Sequence, residues 1–396
     1  MMRWNNGYRN ADGWKKIREK LEDTRWLVCI VFAMVAVSRL LVYLNFLIWS
    51  GRNSFDGGFF DALSIYDTAW YKSIIGDGYW TEPRWGDQGD SANWAFFPFY
   101  PLLMKGIHVI LPFDYDLLAF AVNSVFFAFA LVLAVKYILL TREDWVHALV
   151  FVFLMAFGVY NFYFSLLYTE APFLFFVAAF FYCMERKQYL WMGAAGAFAS
   201  GTRNLGIMLV FPLAAHYLTE YFGSNRFRLK TFFGNFFGNV RLVLGTVLIP
   251  FGFFSYMLHL YFRVGDSMAF VHIERAWGKG DLTNPFRVLW NSLVNVDSFV
   301  FYLSLWGVWG IYCAWLLLCS KRWAEFVMAF LVVMIPLAAS VIGVPRYLIG
   351  CFVPLLGFTD GMGRWRKSQI FALCVFSFVL GEICLWGWFD SAAFVM

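Results

Sequence analysis

The chain has 396 residues, 61% of them hydrophobic and 22% aromatic, with only 14% charged and a mean hydropathy of +0.63. No water-soluble domain of ordinary usage reaches that balance, so lipid is the solvent for most of the chain. The formal net charge of +5 reads as a topology signal, because an excess of Lys and Arg in a membrane protein sorts loops between the two faces; it does not imply nucleic acid.

In chain order, residues 1–25 are basic (Arg3, Arg9, Lys15, Lys16, Arg18, Lys20, Arg25) and read as a cytoplasmic segment ahead of a single membrane domain over 26–396. Apolar runs then predict about 11 transmembrane helices: Trp26–Ile48, Leu117–Leu140, Val146–Tyr160, Phe162–Cys183, Tyr189–Gly201, Asn204–Phe222, Leu242–Phe262, Phe299–Cys319, Trp323–Ile342, Tyr347–Phe358 and Gln369–Phe389. The first run is long enough to span and has no cleavage site after it, so it is read as a retained helix. Several runs are short, which predicts broken helices that only protein or a wet cavity can cover. The fold class is an all-α polytopic membrane bundle.

Counted on alternate sides, one face collects the N-terminal cluster, Lys136, Arg142, Arg186, Lys187, Arg226, Arg228, Lys230, Arg241, Lys321, Arg322, Arg364, Arg366 and Lys367, and the positive-inside rule makes that face cytoplasmic. The segment Phe96–Leu111 carries Pro98, Pro101, Lys105 and His108. If it spanned, every later basic loop would change sides, so it is read as re-entrant or interfacial. Two outer loops result, about 49–116 and 265–298. All seven cysteines lie in apolar runs without a CxxC pair and read as packing residues.

The polar interruptions fall on the outer side. In the first loop, Ser64-Ile65-Tyr66-Asp67-Thr68-Ala69-Trp70-Tyr71 predicts a helix in the membrane interface with Asp67, Trp70, Tyr71 and Ile74 on one face; an ordinary solvated acid is the alternative. Tyr168-Thr169-Glu170 places a carboxylate near the outer end of an apolar run, where it needs a partner, and Arg203 is the candidate; the pair could equally lock helices. Ser200-Gly201-Thr202-Arg203-Asn204 breaks another run and offers backbone N–H groups beside a cation, a candidate phosphate site. His272, Glu274 and Trp277 lie in the second loop, where a lone histidine is more often a surface residue than a base. Pro345-Arg346 interrupts a later run and supplies a further cation. No HExxH, CxxC, GxxxxGK or GxGxxG pattern opens a helix, which leaves zinc hydrolysis, P-loop chemistry and dinucleotide binding without support.

Taken in order, YDTAWYKSIIGDGY (Tyr66–Tyr79), FFPFYPLL (Phe96–Leu103), FSLLYTEAPF (Phe164–Phe173), ASGTRNLGI (Ala199–Ile207), FVHIERAWG (Phe270–Gly278) and VPRYLIG (Val344–Gly350) resemble the PIG-V type of mannosyltransferase, a GPI mannosyltransferase 2-like family of GT-C glycosyltransferases. Each segment alone is weak; six in family order are specific. Two departures stand out, Tyr66 where the family leads one to expect Trp and Glu274 where Gln is expected, and the second leaves sugar and acceptor open.

The resemblance implies a GT-C bundle with re-entrant or interfacial helices in the first outer loop. It also implies an inverting transfer of mannose from a polyprenyl- or dolichyl-phosphate donor to a lipid or glycan acceptor. It assigns Asp67 as the catalytic carboxylate, with Glu170 second. Arg203, Arg346 and Lys72 are candidate phosphate cations, and Trp70, Tyr71, Tyr168, Thr202, His272, Glu274 and Trp277 complete the candidate substrate-binding set.

No cofactor is required by that scheme and no metal ligands are assigned, although outer-loop carboxylates could take an ion. Absence of any Asn-x-Ser/Thr sequon favours a bacterial inner membrane with a periplasmic site over an endoplasmic-reticulum membrane with a luminal one. The expected partners are membrane lipids and the two substrates, with room for a partner subunit. A flippase for a lipid-linked saccharide is the rival reading; it predicts internal repeats and midplane charges, and neither is evident in the sequence.

Overall fold

In the computed structural model the described residues are 23–86, 89–224, 228–277, 283–296 and 299–395, and among them no strand forms. The helices are α1 (Thr24–Asn53), α2 (Phe59–Leu63), α3 (Thr68–Asp77), α4 (Phe99–Ile110), α5 (Tyr115–Arg142), α6 (Trp145–Phe157), α7 (Glu170–Glu185), α8 (Tyr189–Thr202), α9 (Val210–Ser224) and α10 (Leu229–Gly238). They continue as α11 (Val240–Leu248), α12 (Phe251–Val264), α13 (Ala269–His272), α14 (Pro285–Leu293), α15 (Phe299–Cys319), α16 (Trp323–Ala339), α17 (Val344–Ile349), α18 (Phe352–Gly361) and α19 (Lys367–Phe389). Most of the predicted N-terminal basic segment, and Gly278 of the second loop, lie outside the described residues.

Among the described residues, five stretches are long and apolar enough to cross a membrane: α1, α5, Asn204–Gly223, α15 and α19. A sixth arises if α11 and α12 count as one span bent by 40°; Pro250 sits at the bend and removes a backbone donor there. With the composition, this is the build of a multi-pass membrane protein. The Phe96–Leu111 segment forms α4, whose 12 residues reach only about 18 Å, too short to cross.

Three expectations change. The predicted spans Val146–Tyr160 and Phe162–Cys183 are not two long helices: α6 stops at Phe157, α7 begins at Glu170, and between them lies an irregular strap, 158–169, with a 3-10 turn at Asn161–Ser165. Gly158 ends α6, since a Cβ there would fall 2.1 Å from the Leu154 carbonyl oxygen, and Tyr160 follows at a φ of 62°. The run Tyr347–Phe358 likewise splits between α17 and α18 at Gly350 and Cys351. The packed face of α3 is Thr68, Tyr71, Ile74 and Ile75 instead of Asp67, Trp70, Tyr71 and Ile74, and Tyr71 finds the rings of Tyr100 and Tyr168 at 5.8 and 6.2 Å.

A buried strap leaves backbone groups without helical partners, and each must be met in some other way. Polar side chains in the middle of α1 and α5 meet them. The Asn123 amide donates to the carbonyls of Leu166 and, at 3.0 Å, Tyr168. Arg39 donates to the Asn161 carbonyl at 3.2 Å, to its side-chain oxygen at 3.3 Å and to the Ser165 hydroxyl, with its guanidinium 5.6 Å from the Phe127 ring. Replacing Asn123 by Leu is expected to strand two buried carbonyls, at about 1–3 kcal/mol each. Thermal unfolding in detergent checks this; an unchanged midpoint would remove Asn123 from the account.

Farther along α5, about 28 Å from Asn123, Arg142 ties the other end of the bundle. Its guanidinium donates to both Asp360 oxygens at 2.8 Å and to Glu325 at 3.2 Å, and the Tyr137 hydroxyl donates to Glu325 at 2.7 Å. The cluster joins α5, α16 and α18, and buried His147 of α6 lies 3.3 Å from Asp360.

Candidate functional site

Four chain breaks meet at the end of the bundle opposite Arg142. Asp67 is the N-cap of α3, Glu170 the first residue of α7, Arg203 the C-cap of α8, and Arg346 lies on the short α17. Each break frees a side chain from the packed face of a helix, and backbone groups released there give a charged side chain polar surroundings. Tyr66, at a φ of 53°, makes the sharp turn that presents Asp67. The Asp67 backbone N–H donates to the Tyr168 hydroxyl at 3.1 Å, and that hydroxyl donates to the Ile65 carbonyl at 3.1 Å.

Arg346 is the hub. Its Nη1 donates to Asp67 Oδ2 at 2.7 Å and its Nε to Glu170 Oε1 at 2.9 Å. Arg203 Nη1 stands 3.1 Å from the same Glu170 oxygen, but the angle is poor and Nη1 makes no hydrogen bond. Rings hold both cations: Arg346 lies 4.6 Å from the Tyr168 centroid and 5.3 Å from Tyr163, and Arg203 lies 4.5 Å from Tyr347 and 5.8 Å from Phe173. Such faces favour a cation most when water is excluded.

Burial separates the two carboxylates. The Glu170 side chain is fully buried, whereas 27% of the Asp67 side chain is exposed. Glu170 is therefore placed to hold the two arginines together, and Asp67 to meet something arriving from outside. Two acids and two arginines balance in charge, so an incoming anion would have to exchange with a carboxylate for an arginine. Glu170 Oε2 and Arg203 Nη1 are buried without a hydrogen-bond partner, and buried polar atoms left so call for a further polar group or water beside them. Gly350 closes over the cluster, since a Cβ there would lie 3.7 Å from Glu170 Cγ and 3.6 Å from Arg203 Nη1.

The remaining sequence candidates divide. Tyr168 belongs to the cluster, and the Tyr71 hydroxyl reaches it through Thr169 Oγ1 at 3.3 Å. Trp70 stands beside it in an aromatic cage with Trp85 at 4.6 Å, Trp277 at 5.2 Å and Trp80 at 6.0 Å, so Trp277 docks the second loop on the first. Glu274 is half-buried on the same 3-10 turn as Trp277. Thr202 bonds back to the Phe198 carbonyl at 2.7 Å.

His272 is exposed and pairs with Asp266 at 2.6 Å. Lys72 is not in the cluster: its ammonium bonds Asp116 at 2.6 Å and Ser64 at 2.8 Å, because the turn of α3 points it toward the start of α5. The pair is partly buried and stands apart from the cluster, so Lys72→Met is expected to change turnover by less than about fivefold, within the roughly 1 kcal/mol of an ordinary ion pair; a loss as large as that of Arg346→Met would return Lys72 to the site.

Sequence reasoning missed Tyr163 and Tyr347, whose rings carry the arginines, and Asn123. Tyr347 adjoins Arg346 and could have been found; Tyr163 sits inside an aromatic run that gives no signal. Among the described residues, no three His, Cys, Asp or Glu side chains gather as a metal ligand set. No protein-family model matches the chain, and no curated protein matches it.

Proposed function

We propose that this protein is a membrane-embedded, GT-C-type glycosyltransferase that moves a sugar, mannose by its sequence resemblance, from a polyprenyl-phosphate donor to a lipid-linked or glycan acceptor. One observation carries the reading: Asp67, Glu170, Arg203 and Arg346, drawn from four of the six segments that resemble the PIG-V type, converge in one cluster. In this reading all eleven predicted spans thread the membrane, some as broken helices, and the cluster faces away from the basic loops, toward the periplasm.

The donor phosphate displaces Asp67 from Arg346 and takes its guanidinium, with Arg203 behind it. Asp67, released, accepts the proton of the acceptor hydroxyl as that oxygen bonds to the anomeric carbon. The bond from the anomeric carbon to the phosphate oxygen breaks, and its electron pair leaves on the lipid phosphate. One displacement inverts the anomeric centre. General-base help is worth about 10²–10⁴-fold, and fixed cations at the departing phosphate supply a larger share. Glu170 keeps both arginines in place.

The test is transfer in sealed vesicles of known orientation, with water-soluble short-chain donor added from outside. Transfer only when the face opposite the basic loops is accessible, with product of inverted anomeric configuration, is the expected result. Retained configuration, or transfer only from the basic face, would overturn the scheme.

A further inference from the structure

Helix α10 lies at the end of the bundle far from the ionic site. Helix α7 starts at Glu170 and ends at Glu185, about 23 Å away, and just beyond it Lys187 pairs with Glu220 of α9 at 2.9 Å. There the chain turns back on itself. The Tyr221 hydroxyl donates to the Arg228 carbonyl at 3.2 Å and the Tyr217 hydroxyl to the Phe232 carbonyl at 3.0 Å, so α10 returns along the last turns of α9.

Its apolar residues fall on two adjoining strips. Phe232 and Phe236 pack on the Tyr217 ring at 5.1 and 5.5 Å. Leu229, Phe233 and Phe237, four residues apart and so stacked along one face, are between 47% and 64% exposed. Thr231 and Asn235 lie on the far side and Lys230 at the edge, all exposed, which is the pattern of a helix lying at a membrane surface. Cations stand at both ends of the open strip: Arg228 precedes α10, Lys230 is its second residue and Arg241 is the second residue of α11. Among the described residues none of these three side chains forms an ion pair, and Glu220 of the neighbouring α9 is taken by Lys187.

We infer that α10 is a binding site for anionic phospholipid: Leu229, Phe233 and Phe237 enter the acyl region while Arg228, Lys230 and Arg241 take the negatively charged headgroups. An apolar strip alone would accept any lipid. Three cations without a carboxylate, set at the two ends of a helix about 15 Å long, select negative charge, and each is worth about fivefold in affinity. By the positive-inside rule α10 lies on the cytoplasmic side, where anionic lipid is found. The site uses no sugar donor, so it stands or falls apart from sugar transfer.

The experiment places the purified full chain in phosphatidylcholine nanodiscs with a trace of photoreactive lipid, either phosphatidylglycerol or phosphatidylcholine carrying the same diazirine acyl chain. Adducts are mapped by peptide mass spectrometry. On residues 229–240 the phosphatidylglycerol probe is expected to give at least about tenfold more adduct than the phosphatidylcholine probe, an excess that shrinks as salt is raised. Arg228→Gln, Lys230→Gln and Arg241→Gln together are expected to remove that excess; all three side chains are exposed, so the unfolding midpoint should stay that of the wild type.

Equal labelling of 229–240 by the two probes would overturn the inference on the wild type alone, as would adducts from neither probe there, which would hold α10 off the bilayer. An excess that survives the triple substitution in a folded protein would also overturn it, since the selection would then not come from these cations.

Discussion

Asp67→Asn is expected to lower sugar transfer by about 10²–10⁴-fold, the share of a positioned general base, in a protein whose unfolding midpoint stays close to wild type. The amide keeps the size of the side chain, and its oxygen can still accept from Arg346 Nη1, now 2.7 Å from Asp67 Oδ2, so the helix junction is preserved. What it cannot do is take a proton. Side-by-side rates at saturating donor and acceptor, with circular dichroism on the same samples, check the result. Transfer within a few-fold of wild type would place the base elsewhere.

Glu170→Ala has the largest expected effect on stability. Glu170 is fully buried and is the common partner of Arg203 and Arg346; its loss leaves Arg203 with no counter-ion among the described residues and Arg346 with Asp67 alone. Breaking a buried ion pair by removing one partner costs about 3–5 kcal/mol. The variant is expected to unfold at a markedly lower temperature in detergent and to transfer little sugar.

A second variant separates the two effects. Replacing Glu170 and Arg203 together by Met removes both ends of one buried pair, and such swaps are often neutral in stability. The double variant should regain much of the lost midpoint while transfer stays low. If transfer returned with stability, Arg203 would have only a structural role.

Much of the site was legible because charge inside an apolar run is conspicuous. Glu170, Arg203 and Arg346 each interrupt an apolar run and stand out on that ground, whereas Asp67 lies in a polar loop among other acids and is singled out by the resemblance. Their meeting was not legible from spacing, since Arg346 lies 279 residues from Asp67 and 176 from Glu170. Glu170 and Arg203 could be paired from the cost of a lone carboxylate in an apolar run; the resemblance alone joined Asp67 and Arg346 to them.

The strap at 158–169 was hidden for the opposite reason. Its residues are as apolar as a helix, and hydropathy cannot tell an irregular buried segment from a helical one. The clue lay in the residues that serve it, Asn123 and Arg39, polar groups in the middle of long apolar helices. Lys72 was named only as a further cation of the same loop, and nothing in the sequence shows that Asp116, 44 residues away, claims it. Arg142 was counted among the loop charges and Glu325 and Asp360 drew no reading, although the Arg142 and Glu325 side chains are almost fully buried.

Transfer of sugar from a lipid phosphate is tested by supplying purified wild-type protein with radiolabelled polyprenyl-phosphate mannose and a membrane lipid extract. The account predicts that label moves into a new lipid or glycan product, and that GDP-mannose given alone supports none. Folded protein that moves no label from any polyprenyl-phosphate sugar, yet carries the intact donor across a sealed membrane, would contradict it and make this a translocator of lipid-linked saccharide.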